Sequence, residues 1–275
     1  MDDLPPSSLV KNGAAPASGV TVTDLSVKYR TGREKVSSAV FEGLNFSVPA
    51  GEFVAIVGPS GCGKSTLLKA IAGLIAPSSG SVVFGDGLSP KDERIGFLFQ
   101  SDALLPWCTA AKNIAIAGEL GGDNKESSMQ RARDLMDRVG LSESKDKYPG
   151  QLSGGMRRRV SLARALVYRP SVFLMDEPFS ALDAQTRVVV GNFFLEILEE
   201  ASQTVLFVTH DIEEAVALAD RVVVLSLSPG GIVGDYRIDI PRPRDYYESR
   251  FSLQFIEYQQ LLAEKLGLRR GAGAS

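Results

Sequence analysis

The stretch GPSGCGKST, residues 58–66, has the residue types and spacing to hold the phosphates of a nucleotide. Its glycines let the backbone turn tightly and bring several N–H groups close to an anion. The lysine can reach the terminal phosphates, and the hydroxyl of Ser65 can ligate Mg²⁺. The residues expected to bind the nucleotide are Gly58, Pro59, Ser60, Gly61, Cys62, Gly63, Lys64, Ser65 and Thr66.

A pair of acids at the end of VFLMDEP, residues 172–178, has the chemistry to complete such a site. The apolar run predicts a buried strand that carries Asp176 and Glu177 at its carboxyl end. Ligands of open α/β sheets bind at that end of the strands. We expect Asp176 to hold Mg²⁺ through water. We expect Glu177 to orient and activate the attacking water as a general base.

A second glycine motif, LSGGMRRRVSLARAL, begins at residue 152 and has helical periodicity. Ser153 is suited to cap this helix, and Gly154 and Gly155 expose backbone N–H groups at its start. The motif therefore predicts a second anion site. Since residues 58–66 already provide one phosphate cradle, the simplest use for a second is to grip the γ-phosphate of a nucleotide held by another copy of the chain.

The elements around these motifs alternate between strand and helix, which predicts a mostly parallel sheet. Strands are predicted at 20–29, 39–48, 53–57, 81–85, 95–99, 172–176, 204–209 and 221–226. Helices are predicted at 64–75, 109–118, 127–139, 155–168, 186–200 and 211–219. The predicted organisation is a flexible tail at 1–19, a main domain at 20–241 with a helical subdomain inserted at about 101–170, and a helical extension at 242–275.

The composition makes nucleic-acid binders, disulfide-rich proteins and membrane-spanning proteins less expected. The 275 residues carry a formal net charge of −3, which makes a general nucleic-acid binder less expected. Two isolated cysteines predict no disulfide framework and fit a reducing cytoplasm. No apolar run approaches the roughly 18 residues that span a bilayer, and the N-terminus does not read as a secretory signal. If the protein works at a membrane, we expect another chain to supply the spanning helices.

With these motifs in this order, the sequence resembles the ATPase subunits of ABC transporters. LSGGM matches their signature motif, and Tyr29 lies where an aromatic residue stacks on adenine. Gln100 matches the loop glutamine that senses Mg²⁺, takes part in catalysis and faces the membrane subunit. Asp183, in SALD, falls in the segment that crosses the dimer interface at the nucleotide. His210 matches the switch histidine that contacts the γ-phosphate.

The resemblance implies a fold and a working cycle. The fold is an α/β P-loop NTPase of the ABC ATPase type, with a mostly parallel sheet core, an antiparallel β region and an inserted helical subdomain. Two subunits form a head-to-tail dimer with ATP and Mg²⁺ as cofactors. Each ATP lies between the P-loop of one subunit and the signature of the other. ATP binding closes the dimer and hydrolysis reopens it, which provides a two-state element to drive a partner.

Among ABC proteins, the sequence is most similar to separate ATPase subunits of importers. ALLPWCTAAKNI (103–114) and PRPRDYYESRF (241–251) resemble the nitrate/sulfonate/taurine subfamily, which includes systems for thiamine precursors. The resemblance implies permease subunits, a periplasmic or extracellular solute-binding protein, and a peripheral position on the cytoplasmic face of the inner membrane. The alternative is a soluble ABC-type ATPase linked to nucleic acid.

Three features are open to more than one interpretation. Trp107 is either part of the core or an anchor for a helix of a membrane subunit. A last helix that carries Phe251, Phe255, Tyr258 and Leu262 on one face either covers the main core or binds a partner. Arg158 replaces the glutamine that relatives often have, and we expect a local charge change there without loss of function.

Overall fold

The computed structural model describes residues 18–31, 36–85, 95–180, 182–200, 203–227 and 231–268. They form two compact units: one contains the described residues before 94 and after 201, and the other those of 94–201. Nearly all of the predicted N-terminal tail lies outside the described residues. The domain boundaries drawn from the sequence stay a prediction.

The first unit contains an antiparallel sheet. Its central strand β1 (Ser18–Thr31) pairs with β2 (Val36–Pro49) on one side and with the later strand β4 (Ser79–Phe84) on the other. Apolar and polar residues alternate along β1, and the side chains of Val20 and Val22 are buried. This sheet is the antiparallel β region expected from the sequence.

The same unit holds the parallel strands that carry the phosphate-binding loop. β3 (Phe53–Val57) lies between β7 (Thr204–Val208) and β8 (Arg221–Leu225), parallel to both, and every residue of β3 and β7 is buried. β9 (Ile232–Arg237) adds an antiparallel edge strand beside β8. The sequence predictions omitted this strand, because IVGDYR is half-exposed and shows no continuous apolar run.

The helices of the first unit follow these strands. Helix α1 (Lys64–Ile71) follows β3, and α6 (Ile212–Leu218) follows β7. The prediction of a helix to residue 75 was too long. The chain leaves the helix at Ala72, and Gly73 then adopts φ +69°, a conformation that ends helices.

The second unit combines two parallel strands with helices. β5 (Ile95–Leu98) pairs with β6 (Val172–Asp176), and all of β6 is buried. Its helices are α2 (Ala110–Leu120), α3 (Lys125–Arg138), α4 (Gly154–Val167) and α5 (Ala184–Glu200). Side chains of Thr109, Asn124 and Ser153 cap the first three of these helices, as residues of this type do at helix starts. Within the parts of the chain described here, no helix is both long and apolar enough to cross a bilayer.

The C-terminal helix α7 (Leu253–Lys265) packs on α6 of the first unit and buries Phe255, Tyr258 and Leu262. The Tyr258 hydroxyl accepts a hydrogen bond from the backbone N–H of Asp239 at 3.1 Å. Phe251 does not share this face, contrary to the prediction. Ser252 caps α7, so Phe251 lies in the preceding turn and is 65% exposed. The core-covering interpretation therefore holds for the other three residues.

We expect Leu262→Ala to lower the free energy of unfolding by about 2–5 kcal/mol, because it leaves a cavity under α7. Phe251→Ala is the matched control, and its exposure predicts a change within about 0.5 kcal/mol. Chemical denaturation of the two variants measures both values. Equal unfolding midpoints for Leu262→Ala and the wild type would show that this face is not part of the core.

Candidate active site

The phosphate-binding loop connects β3 to α1, as its motif requires. Gly61 and Gly63 have φ of +83° and +99°, a region that favours glycine. A Cβ on Gly63 would also collide with the side chain of Val40, and one on Gly58 would lie 2.7 Å from the carbonyl oxygen of Leu225. The glycines of this loop are therefore required by the chain's own backbone and neighbours.

Lys64 begins α1 and is 7% exposed. Its Nζ donates hydrogen bonds to the carbonyl oxygens of Gly58 at 2.7 Å and Pro59 at 3.0 Å. The ammonium is thus held over the loop whose N–H groups are suited to phosphate. Ser65 and Thr66 follow on the first turn and are partly exposed, and Cys62 is buried below the loop.

His210 lies at the same edge of the first unit as the phosphate-binding loop. β3 and β7 are parallel with Ile56 opposite Val208, so the chain segments that follow both strands emerge together. The backbone N–H of Thr209 donates to the carbonyl oxygen of Ile56 at 3.2 Å. His210 itself is exposed.

A buried carboxylate that the sequence analysis did not single out fixes the segment around His210. Glu214 is 3% exposed and accepts a hydrogen bond from the Thr209 hydroxyl at 2.6 Å. Asp211 caps α6 by accepting from the N–H groups of Glu213 and Glu214. Residues on both sides of His210 are therefore tied to the start of α6. The sequence THDIEE contains these residues, but it does not indicate whether Glu213 or Glu214 is buried.

In the second unit, the structure brings together three predicted residues at the ends of β5 and β6. Asp176 is the last residue of β6 and is 3% exposed. Glu177 follows with φ +48°, which is uncommon for a residue with a side chain and marks a constrained position. The Gln100 amide donates to the Glu177 carboxylate, with 3.1 Å between Nε2 and Oε2.

The second glycine motif starts α4. Ser153 is exposed and caps the helix, with its Oγ accepting from the N–H of Met156 at 3.3 Å. A Cβ on Gly154 or Gly155 would meet only atoms at 3.8 Å, which is ordinary contact, and neither glycine has positive φ. Unlike Gly58 and Gly63, these two glycines are not required by the surrounding chain.

Two further predicted residues occupy defined backbone positions. Tyr29 lies in β1, and its side chain falls outside the described part of the structure. Asp183 precedes α5, and its carboxylate accepts from the N–H of Thr186 at 2.9 Å and from the hydroxyl of Thr186 at 2.7 Å. These two hydrogen bonds lower the pKa of Asp183.

Arg158 is buried, which the sequence did not predict: the side chain is 1% exposed. The local charge change and retained function expected there stay predictions. It turns inward from α4 and donates to the backbone carbonyl oxygens of Gln100 and Glu177. The sequence alone does not indicate which of the three consecutive arginines at 157–159 is buried.

The fold and these two groups of residues define a P-loop nucleotide hydrolase. The profile of the ABC transporter family matches residues 41–180, about half of the chain. The chain belongs to this family, and it is an ATP-binding protein with ATPase activity.

Similar proteins agree with this assignment. The aliphatic sulfonates import ATP-binding protein SsuB of Rhodopseudomonas palustris is 43% identical over 85% of this chain and 80% of its own length. The bicarbonate transport ATP-binding protein CmpD of Synechocystis sp. is 42% identical over 86% of this chain and 88% of its own. The dimeric post-hydrolysis structure of the ATP-binding cassette MJ0796 with ADP and Pi has a TM-score of 0.72 at 31% identity, and covers 81% of this chain and 100% of that one. The predicted fold class and family resemblance are confirmed.

Proposed function

We propose that this chain is the ATP-hydrolysing subunit of a membrane importer and works as a head-to-tail dimer. ATP would lie between the P-loop of one subunit and the signature residues Ser153, Gly154 and Gly155 of the other. Binding closes the dimer and hydrolysis reopens it, which moves separate permease subunits between two states.

The observation that carries this proposal is the open space at Gly154 and Gly155. Nothing in the described part of this chain demands glycine there, because an added Cβ would meet only ordinary contacts. A group from another molecule that approaches the backbone closely does demand it, and the start of α4 favours a phosphate. The dimeric state of the MJ0796 cassette supports a second copy as the source.

The catalytic roles follow from where the side chains lie. Glu177 acts as general base, and Gln100 orients its carboxylate, to which the Gln100 amide donates. His210 contacts the γ-phosphate from the end of β7. Tyr29 stacks on adenine, and Asp183 reaches the nucleotide across the dimer interface.

The residues proposed for Mg²⁺ fit the ion by their chemistry. Ser65, Gln100 and Asp176 offer hydroxyl, amide and carboxylate oxygens, the hard donors that Mg²⁺ takes. Mg²⁺ usually binds through one or two carboxylates together with substrate phosphates, so a full protein cage is not needed. When bound, the ion supplies charge that stabilises the transferred phosphate.

A hollow in the second unit supports a membrane partner. It has a volume of about 390 Å³ and its lining includes Phe97, Leu105, Ile116, Leu120 and Tyr168. Leu120 is 79% exposed at its rim. Asn113, Ser161 and Arg164 also line this hollow, so it offers both apolar and polar contacts, which suit the end of an amphipathic helix from a permease subunit.

Trp107 belongs to the same unit and is 73% exposed, so the interpretation as a core residue is wrong. Exposed tryptophans often anchor interfaces. We therefore place Trp107 in the contact with the permease, at the cytoplasmic face of the inner membrane.

The class of solute is proposed from the relatives. The named proteins import aliphatic sulfonates or transport bicarbonate. We infer uptake of a small solute of the nitrate, sulfonate, taurine or thiamine-precursor kind, selected by a periplasmic or extracellular binding protein and by the permease.

The test is purification of the tagged full chain from detergent-solubilised membranes of the cells that make it. We expect a chain with several membrane-spanning helices to co-purify, and Trp107→Ala to lower its recovery about tenfold or more. Phe251, an aromatic residue of the other unit, is 65% exposed, so Phe251→Ala is the matched control and should leave recovery unchanged. Recovery only in the soluble fraction, with hydrolysis stimulated by nucleic acid, would contradict the importer and favour the alternative ATPase.

A further inference from the structure

Among the described residues, Arg158 is one of the largest fully buried side chains and the only arginine that is 1% exposed or less. It lies on α4, one turn after the signature glycines. Burying a guanidinium is costly unless its charge and all its N–H groups are matched. The partners of Arg158 therefore indicate what it does.

The guanidinium has five N–H donors, and five backbone carbonyl oxygens lie within hydrogen-bond distance. Nε donates to Pro178 at 2.7 Å. Nη1 donates to Phe99 and, at 3.2 Å, to Gln100. Nη2 donates to Asp176 at 3.3 Å and to Glu177 at 3.0 Å.

These carbonyls come from two chain segments. Phe99 and Gln100 follow β5, and the other three carbonyls lie at and after the end of β6. The side chains of Gln100 and Glu177 are themselves hydrogen-bonded, with 3.1 Å between the amide nitrogen and the carboxylate oxygen. One side chain thus fixes the backbone on both sides of the Gln100–Glu177 hydrogen bond.

The charge of Arg158 is also balanced locally. Asp102 lies 3.9 Å from Nη1. Burial lowers the pKa of Arg158, while Asp102, Asp176 and Glu177 act in the opposite direction. Because arginine keeps its charge at physiological pH, a permanent cation interacts with the carboxylates of Asp176 and Glu177.

We propose that Arg158 is a positioning residue that holds the Gln100 and Glu177 segments in register with the signature helix. It is 1% exposed and acts through the backbone carbonyls of those two residues. A movement of the N-terminal end of α4, which carries the signature, would then displace the general base Glu177, because Arg158 connects the two. This inference rests on the proposed roles of Glu177 and of the signature.

The glutamine that related chains often carry at this position has a shorter side chain and two donors in place of five. Arg158→Gln therefore releases at least three of the five carbonyls. We expect kcat for ATP hydrolysis by the purified full chain to fall roughly 10- to 100-fold, the scale of a misplaced catalytic group. We expect KM for ATP to stay within about twofold, because the P-loop lies on other elements.

Two further variants separate positioning from general damage. Arg159→Gln is the matched control on the same helix, since Arg159 donates to the carbonyls of Val139 and Gly140 instead of those of Gln100 and Glu177. Its kcat should stay within about twofold of the wild type. Arg158→Lys keeps the charge with three donors, and its kcat should lie between those of the wild type and Arg158→Gln. If Arg158→Gln does not fold, a lower kcat for Arg158→Lys than for Arg159→Gln tests the same role.

A double-variant cycle with Gln100→Ala provides the specific readout. If Arg158 acts through Gln100, Arg158→Gln should lower kcat much less in the Gln100→Ala background than in the wild type. Full additivity, or equal kcat for Arg158→Gln and Arg159→Gln, would overturn the inference. Glu177→Gln distinguishes this failure from failure of the proposed function: lost hydrolysis in Glu177→Gln together with normal Arg158→Gln removes only the role of Arg158.

Discussion

Glu177→Gln is expected to lower kcat for ATP hydrolysis roughly 10²–10⁴-fold, the usual contribution of a general base. The substituted side chain keeps the shape of glutamate, and its carbonyl oxygen can still accept the hydrogen bond that the Gln100 amide donates to Glu177. Arg158 donates to the backbone carbonyl of Glu177, and the substitution leaves that carbonyl in place. The variant therefore removes the base with little change to its surroundings.

ATP binding by this variant should remain, because the P-loop supplies the phosphate contacts. Since the ATP-bound dimer can no longer reopen by hydrolysis, it should accumulate. Steady-state hydrolysis with the membrane partner and size-exclusion chromatography in ATP measure the two effects. Glu196→Gln, an exposed carboxylate on α5, is the control. Near-normal turnover of Glu177→Gln would assign the base to another group.

Gly155→Asp is expected to abolish ATP-driven dimerisation and hydrolysis while each monomer binds ATP with near-normal affinity. An added carboxylate would face the phosphate of a nucleotide held by the other subunit, where like charges cost several kcal/mol. A cost of about 4 kcal/mol corresponds to a factor of about 10³ in the closing equilibrium. Ser153→Arg should act similarly by filling the same space. Nucleotide titration of dilute monomers and light scattering with ATP report the two properties.

Mixed dimers test whether the site is shared. One dimer pairs a Gly155→Asp subunit with a Lys64→Ala subunit, so head-to-tail geometry places both lesions at one site and leaves the other intact. The control dimer pairs a subunit that carries both lesions with a wild-type subunit, and then both sites are damaged. Nucleotide trapping should therefore find one intact site in the first dimer and none in the second. The reverse result would mean that each signature serves its own subunit's nucleotide.

The sequence predicted the buried strands well, because their signal is local. Phe53–Val57 and Val172–Asp176 are continuous apolar runs, and the structure has both strands at the predicted bounds. Ile232–Arg237 was missed, since its pairing with a buried neighbour stabilises it more than its own half-exposed residues do. In the sequence, Phe251 has the spacing of the helical face, but Ser252 caps α7, so the helix begins after Phe251.

The candidate site also contains some residues that the sequence predicts and others that it does not. The loop at 58–66 could be predicted because its chemistry is contained in nine consecutive residues. Arg158 could not, because its role depends on where two distant strand ends place their carbonyl groups. Glu214 could not either, since burial alone separates it from Glu213. What the sequence lacks in both cases is the direction in which a side chain turns.

The two hydrogen bonds from Lys64 to its own loop have a consequence for the energetics of phosphate binding. The ammonium is already withdrawn from water by the carbonyl oxygens of Gly58 and Pro59. Binding is then an exchange of oxygen partners, and the lysine contributes only the difference between a phosphate oxygen and a carbonyl oxygen. Since Lys64 is 7% exposed before any phosphate arrives, this exchange removes little further water from the ammonium. The charge is therefore in place for a phosphate without a separate desolvation step.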